Sequence, residues 1–295
     1  MNISIKEIVA GRKTFFIAPD TSLFTENFLE EYFALGYECY FIDNDKKISL
    51  KKKLEVLINI FHDVLFFINI DSNIPGIEWV KFIKEILSKY HNQACIGVLY
   101  EKRQTRDDRI KLENTYLREL GLICGCVQLE YQKNVNFGII EKVLFANQAQ
   151  GRRKTIRALC TSVCTFSFNV ENTPYSGVLQ DISLSHFSFV FPVGKVNVKL
   201  YEKVSDFHFN IKGFLFRSDA ILIMQRTVED GDLYVFSFVN ERGANGLDQR
   251  IKQLLIPNVY QLMSSNCKSL LDQVFKKVKS EEYENEDLMG IDEEI

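Results

Sequence analysis

Near residue 150 the spacing of apolar residues changes, and this limits the possible folds more than any other feature of the chain. Before that point, short apolar runs alternate with stretches at helical spacing; after it, apolar and polar residues alternate one by one. The runs are Thr14–Ala18, Cys39–Ile42, Val64–Ile70, Ala94–Tyr100 and Leu122–Leu129. Helical spacing covers Phe24–Leu35, Lys51–Phe61, Ile77–Tyr90, Arg106–Leu120 and Asn136–Phe145. Strands that are apolar on both sides and alternate with helices predict a parallel α/β sheet covered on both faces.

The second half predicts a different architecture. Phe166 and Phe168, Val178 and Ile182, Phe207, Phe209 and Ile211, Ile221 and Ile223, and Tyr234, Phe236 and Phe238 follow a two-residue period. Asn172-Thr-Pro174, Pro192-Val-Gly194, Lys212-Gly213 and Glu229-Asp-Gly231-Asp232 punctuate these runs as turns. Several short strands so spaced predict an antiparallel β-barrel. After Asn240, Leu247, Ile251, Leu254 and Leu255 begin a helical face that Pro257 can kink, and Leu262, Leu270, Leu271, Val274, Phe275 and Val278 extend it. The expected division is an extension over 1–12, an α/β domain over 13–147 and a barrel over 148–265. A helix over 266–280 and an acidic disordered tail over 281–295 complete it.

Composition narrows the function classes. The 295 residues hold 36 Lys plus Arg against 39 Asp plus Glu, a net charge of −3, which argues against a DNA- or RNA-binding surface. The first residues lack the apolar core of a signal peptide, and Val64–Ile70 is far shorter than the ~20 residues that span a bilayer. The expectation is a cytoplasmic protein without membrane insertion. The seven cysteines and four histidines lack zinc-site spacing, so no metal site is expected and the thiols read as small buried hydrophobes. Lys46, Lys47 and Lys51–Lys53 read as a solvated helix start, and Trp79 as packing. No nucleophile–base pair or glycine-rich phosphate loop appears, so no enzyme and no cofactor are expected.

In a parallel sheet, chemistry sits beyond the carboxyl ends of the strands. After the third run stands Asp71-Ser-Asn-Ile-Pro75-Gly76. With the order of elements over about 13–147, this motif resembles the two-component receiver family, a flavodoxin-like fold. The resemblance implies Asp71 as phosphoacceptor position and Asp20 as one of the acidic residues that hold Mg²⁺. Pro19 replaces the first acidic residue, Tyr100-Glu101 the small hydroxyl residue, and Gln128 the lysine that neutralises the acyl phosphate. Without that lysine and half the metal site, the expected domain is a pseudo-receiver with Asp71 a vestigial acceptor.

At the junction lies Gly151-Arg152-Arg153-Lys154-Thr-Ile-Arg157, and about two dozen residues on comes Asp181-Ile-Ser183-Leu-Ser-His186. The chain over about 148–265 resembles the PilZ family of cyclic di-GMP receptors, marked by RxxxR and (D/N)xSxxG. Arg153 and Arg157 match the first motif, and Asp181 and Ser183 the second; His186 replaces its glycine. The resemblance implies cyclic di-GMP binding by Arg152, Arg153, Arg157, Asp181, Ser183 and His186. Guanidinium groups can pair with guanine O6 and N7 or clamp a phosphate, and a carboxylate can accept from guanine N1–H and N2–H₂. A left-handed backbone at the glycine position could be borne by His186, since histidine is enriched there among non-glycine residues.

The expected protein is a two-domain effector whose domain arrangement changes when cyclic di-GMP binds, regulating a protein partner in motility or secretion. Two alternatives stay open: a PilZ-like adaptor that binds no nucleotide, and a phosphorylation-dependent response regulator.

Overall fold

The computed structural model of the chain describes residues 5–44, 48–61, 63–90, 93–151 and 155–289, with side chains as far as 279. The chain divides into two compact units, one of residues 9–154 and 268–295, the other of 1–8 and 155–267. A short helix α1, Ile5–Val9, precedes the first strand.

The first unit contains β1 (Lys13–Ile17), α2 (Asn27–Ala34), β2 (Cys39–Ile42), α3 (Leu50–Phe61), β3 (Val64–Asn69) and α4 (Trp79–Lys89). It continues with β4 (Ala94–Glu101), α5 (Arg106–Glu113), a π-helical stretch Asn114–Glu119, β5 (Cys126–Leu129) and α6 (Lys133–Ala146). Its five strands lie in the order β2-β1-β3-β4-β5, and every neighbouring pair is parallel. The apolar runs are buried on both sides, with Phe15, Phe16, Phe66 and Phe67 fully enclosed. Strand β5 starts at Cys126 rather than Leu122, because Gly121 and Gly125 take positive φ and keep the intervening residues in a turn.

The second unit holds β6 (Ala158–Leu159), β7 (Cys164–Val170), β8 (Thr173–Val178), β9 (Asp181–Ile182) and β10 (His186–Phe191). Strands β11 (Lys203–Ile211), β12 (Phe214–Val228) and β13 (Gly231–Val239) follow. The eight-stranded sheet runs β6-β9-β10-β13-β12-β11-β7-β8. Since β8 leads directly into β9, one segment pairs with β7 through Thr173–Val178 and with β10 through Asp181 and Ile182, and this curls the sheet into a half-barrel. Two tight turns have positive φ at both central residues, Lys212-Gly213 and Glu171-Asn172, which suits the right-handed twist of hairpins. The second turn lies ahead of Thr173, so Pro174 belongs to β8 rather than to the turn.

Alternation then sorts the side chains. Phe187 stacks on Phe236 at 5.4 Å and Phe189 on Tyr234 at 5.5 Å inside the barrel. His186, Ser188 and Val190 face outward opposite Ser237, Val235 and Leu233. Yet β13 is buried along its whole length, on both faces. Helix α7 (Gln249–Met289) supplies the cover for the outer face: Leu255, Val259, Leu262 and Cys267 are buried at helical spacing, and Asn266 Nδ2 donates to Leu159 O at 2.8 Å. Helix α7 is continuous through Pro257 and runs to Met289, so its backbone is helical well into the stretch expected as a disordered tail. Residues 290–295 lie outside the described residues.

Candidate functional site

Near β6 and β9 of the second unit lie Arg157, Asp181, Ser183 and His186. Ala158 pairs with Ile182 and Leu159 with Asp181, so the residue before β6, Arg157, comes beside the β9–β10 hairpin. Arg157 Nη1 stands 3.8 Å from Asp181 Oδ2, a loose ion pair with side chains 31% and 15% exposed. The other carboxylate oxygen, Asp181 Oδ1, is buried and has no hydrogen-bond partner among the described residues; the same is true of Gln180 Oε1 and Ser188 Oγ. A buried acceptor left unpaired costs ~1–3 kcal/mol, which a ligand donor would recover.

Ser183 is engaged within its own turn. Its side chain is fully buried. The Oγ accepts from His186 N at 3.0 Å and Ser185 N at 3.3 Å, and donates to His186 O at 3.1 Å. It therefore holds the hairpin in shape, and Asp181 is the one of the pair with an unused oxygen. A hydroxyl relay joins this turn to the segment before β6: Thr155 Oγ1 lies 2.8 Å from Ser185 Oγ, which lies 2.7 Å from His186 Nδ1. Neither Thr155 nor Ser185 was singled out from sequence. A hydroxyl at a variable position inside each motif was the available signal.

His186 opens β10 opposite Ser237 and does not take positive φ. The left-handed backbone expected at this position is thus absent, because the residue already extends into a strand. Histidine in place of glycine changes the space and chemistry of the rim, not the turn. Burial holds the His186 pKa below its ordinary value, and the Arg157 charge lowers it further against the opposing pull of Asp181. Arg152 and Arg153 lie outside the described residues.

The first unit treats its acidic residues differently. Asp71 Oδ2 accepts from Glu101 N at 2.6 Å, and Oδ1 pairs with the Arg103 guanidinium, which also lies 5.4 Å from the centre of the Tyr100 ring. Both oxygens of the expected phosphoacceptor are engaged. Asp20 Oδ1 accepts from Ser22 N and Ser22 Oγ at 2.8 and 2.6 Å, closing a local turn rather than a metal site. Gln128 donates to Glu130 at 2.8 Å. Trp79 Nε1 donates to Ser72 O at 3.0 Å, in keeping with a packing role. Arg103 went unnoticed in the sequence, although a basic residue just past a parallel strand's carboxyl end was a usable signal. Asn136 was missed as well: fully buried, it accepts from Glu130 N and donates to Glu130 O and Leu23 O. No group of three or more His, Cys, Asp or Glu among the described residues is arranged to hold a metal ion, and no described helix is long and apolar enough to cross a membrane.

No family model matches the chain, and no curated protein matches it significantly. Similar solved structures include the PilZ domain of YcgR from Escherichia coli with c-di-GMP, at 16% identity and TM-score 0.34 over 40% of this chain and 97% of that one. The chain resembles PilZ-domain proteins. A larger YcgR structure in complex with c-di-GMP is similar at 17% identity and TM-score 0.35, over 42% of this chain. The match spans only half of that longer chain, 50%. The Bacillus subtilis inhibitor of motility MotI/DgrA is similar at 10% identity and TM-score 0.30, over 38% of this chain and 53% of its own.

Proposed function

We propose that this protein is a PilZ-like cyclic di-GMP receptor, an effector rather than an enzyme, with its ligand site on the rim formed by Arg157, Asp181 and His186. The observation that carries the reading is the half-satisfied Asp181 carboxylate, one oxygen loosely opposed to Arg157 and the other unpaired among the described residues. A guanine Watson–Crick edge offers two adjacent donors to such a carboxylate, and its Hoogsteen edge offers O6 and N7 to a guanidinium. Arg152 and Arg153 complete the cationic set, and Ser183 positions Asp181 by fixing the hairpin. Ligand binding exchanges a loose internal ion pair for charge-assisted contacts to the nucleotide.

The first unit is read as a degenerate receiver-like domain, since the order 2-1-3-4-5 is that of flavodoxin-like sheets. The saturated Asp71 favours a docking role over phosphorylation. On this reading the protein is cytoplasmic and passes ligand occupancy to a protein partner, of motility or secretion type, by favouring one domain arrangement over another. Isothermal titration with cyclic di-GMP tests the assignment. The wild type should give heat and the Arg153→Ala/Arg157→Ala pair should not. Equal heats from both would remove the arginines from the site, and no heat from the wild type would favour a nucleotide-free adaptor.

A further inference from the structure

Three polar side chains from two segments of the second unit meet in a line. Thr155, two residues before Arg157, has its Oγ1 2.8 Å from Ser185 Oγ, which in turn lies 2.7 Å from His186 Nδ1. The neighbouring Ser183 Oγ is 3.4 Å from Ser185 Oγ. It is already committed, accepting from the N–H groups of Ser185 and His186 and donating to His186 O. With its proton and lone pairs spent, the Ser185 hydroxyl is left to Thr155 and the imidazole. His186 Nε2 has no hydrogen-bond partner among the described residues, and the side chain is half-buried at the start of β10.

A neutral imidazole carries one proton, and the partner of one ring nitrogen decides whether the other donates or accepts. Bonds from N–H to oxygen centre on about 2.9–3.0 Å, whereas hydroxyl donors centre on about 2.7–2.8 Å. Both links of the line have the hydroxyl length. That length fits a proton passing from Thr155 Oγ1 towards Ser185 Oγ and another from Ser185 Oγ towards Nδ1, which leaves the ring proton on Nε2. Burial and the Arg157 charge both disfavour the imidazolium, against the pull of Asp181, so the neutral ring is the form to be oriented. The ring is held twice, by its backbone opposite Ser237 and by Ser185 at Nδ1, on the strand that pairs with β9 and Asp181.

We propose that Thr155 and Ser185 are positioning residues that hold His186 as its Nε2–H tautomer, so that the ring donates a hydrogen bond to an acceptor of bound cyclic di-GMP. This rests on the receptor reading above and adds to it the source of a further donor. The acceptors of that ligand are its phosphate oxygens and guanine O6 and N7. An Nε2–H group works with Arg157 towards them, whereas the other tautomer would present a lone pair and compete with Asp181 for the guanine N–H groups. Thr155 also ties the segment that bears Arg157 to the hairpin that bears Asp181.

Two measurements on the full chain test this. Imidazole nitrogen resonances of the isotope-labelled protein are recorded at about pH 8, above the ordinary histidine pKa of ~6.5, and His186 is assigned by its loss in His186→Ala. An unprotonated Nδ1 and a protonated Nε2 are expected in the wild type, and a mixture of tautomers in Ser185→Ala. In titration calorimetry with cyclic di-GMP, Ser185→Ala should raise Kd by roughly 2- to 12-fold, the contribution of one hydrogen bond, and Ser185→Thr should restore it. In a His186→Ala background the same Ser185→Ala change should have no further effect, since the two residues act as one unit. An equal loss with and without the imidazole, or a protonated Nδ1 in the wild type, would overturn the proposal. Circular dichroism melts check folding, and Thr155→Val takes the place of Ser185→Ala in the same cycle if the latter does not fold. No heat from the wild type would overturn the receptor reading and the ligand contact with it, while the nitrogen resonances would still decide the tautomer.

Discussion

Asp71 and Asp181 both stand at strand ends next to an arginine, and they differ in how much of the carboxylate is already used. Asp71 is held on both oxygens, by the Glu101 N–H and by Arg103. Asp181 faces Arg157 at 3.8 Å on one oxygen and has the other unpaired among the described residues. A saturated carboxylate has little left to offer an incoming group, whereas an unsaturated one gains from every donor that arrives. The contrast teaches that a motif's acidic residue indicates function only when the fold leaves it short of partners.

The largest effect expected from breaking this contrast is on binding. Replacing Arg153 and Arg157 together by Ala should weaken cyclic di-GMP binding by ~2–6 kcal/mol, beyond detection for a micromolar ligand in titration calorimetry. Asp181→Ala alone should cost ~1–3 kcal/mol, roughly 5- to 150-fold in Kd. Asp71→Ala should leave Kd unchanged. If Asp71→Ala weakened binding as much as Asp181→Ala, the contrast would fail.

Stability should respond the other way round. Arg103→Ala leaves the Asp71 carboxylate with a single partner and should lower unfolding free energy by ~1–2 kcal/mol, read by denaturant titration. Incubation with acetyl phosphate and Mg²⁺ should leave the intact mass unchanged; a stoichiometric phosphoryl adduct lost in Asp71→Asn would show that the Arg103 pair opens readily. Ser183→Ala removes the acceptor for two turn N–H groups and should cost ~1–2 kcal/mol in stability. Its effect on Kd should be smaller than that of Asp181→Ala, because Ser183 shapes the turn without an oxygen to spare.

The smallest effect concerns pH. The His186 pKa is lower in the folded protein than in the unfolded chain, so the unfolded state binds the proton more readily. Stability from this group is full above the ordinary histidine pKa of ~6.5 and is lost as pH falls towards the folded value. His186→Gln should flatten the dependence of Tm on pH below that point. An unchanged profile would mean that His186 titrates as it does in the unfolded chain.

The apolar runs before residue 150 placed β1 to β4 within a residue or so, because strands buried on both faces need uninterrupted apolar sequence. They misplaced the start of β5, where Leu122 and Ile123 extend the run but Gly121 and Gly125 turn the backbone. Alternation after residue 158 foretold an antiparallel sheet, and Arg157, Asp181 and His186 lie together on it. What linear spacing could not reveal was occupancy. Ser183 and Asp181 stand two residues apart, yet the hydroxyl is consumed by its own turn while one carboxylate oxygen is unpaired among the described residues. His186 looked like a strained replacement for glycine and is an ordinary strand residue, since pairing with Ser237 fixes its backbone.

Hydrophobic period alone determined that this chain builds one parallel layered unit and one antiparallel curled sheet, because burial on two faces or one is written directly into the order of apolar residues. Only the tertiary structure decided which polar groups remain available, because several of the hydrogen bonds that occupy them join residues far apart in the chain. Glu101 and Arg103 reach Asp71 across about thirty positions, and Thr155 reaches Ser185 across a similar span. Cys124 packs against β4 where Gly97 leaves room.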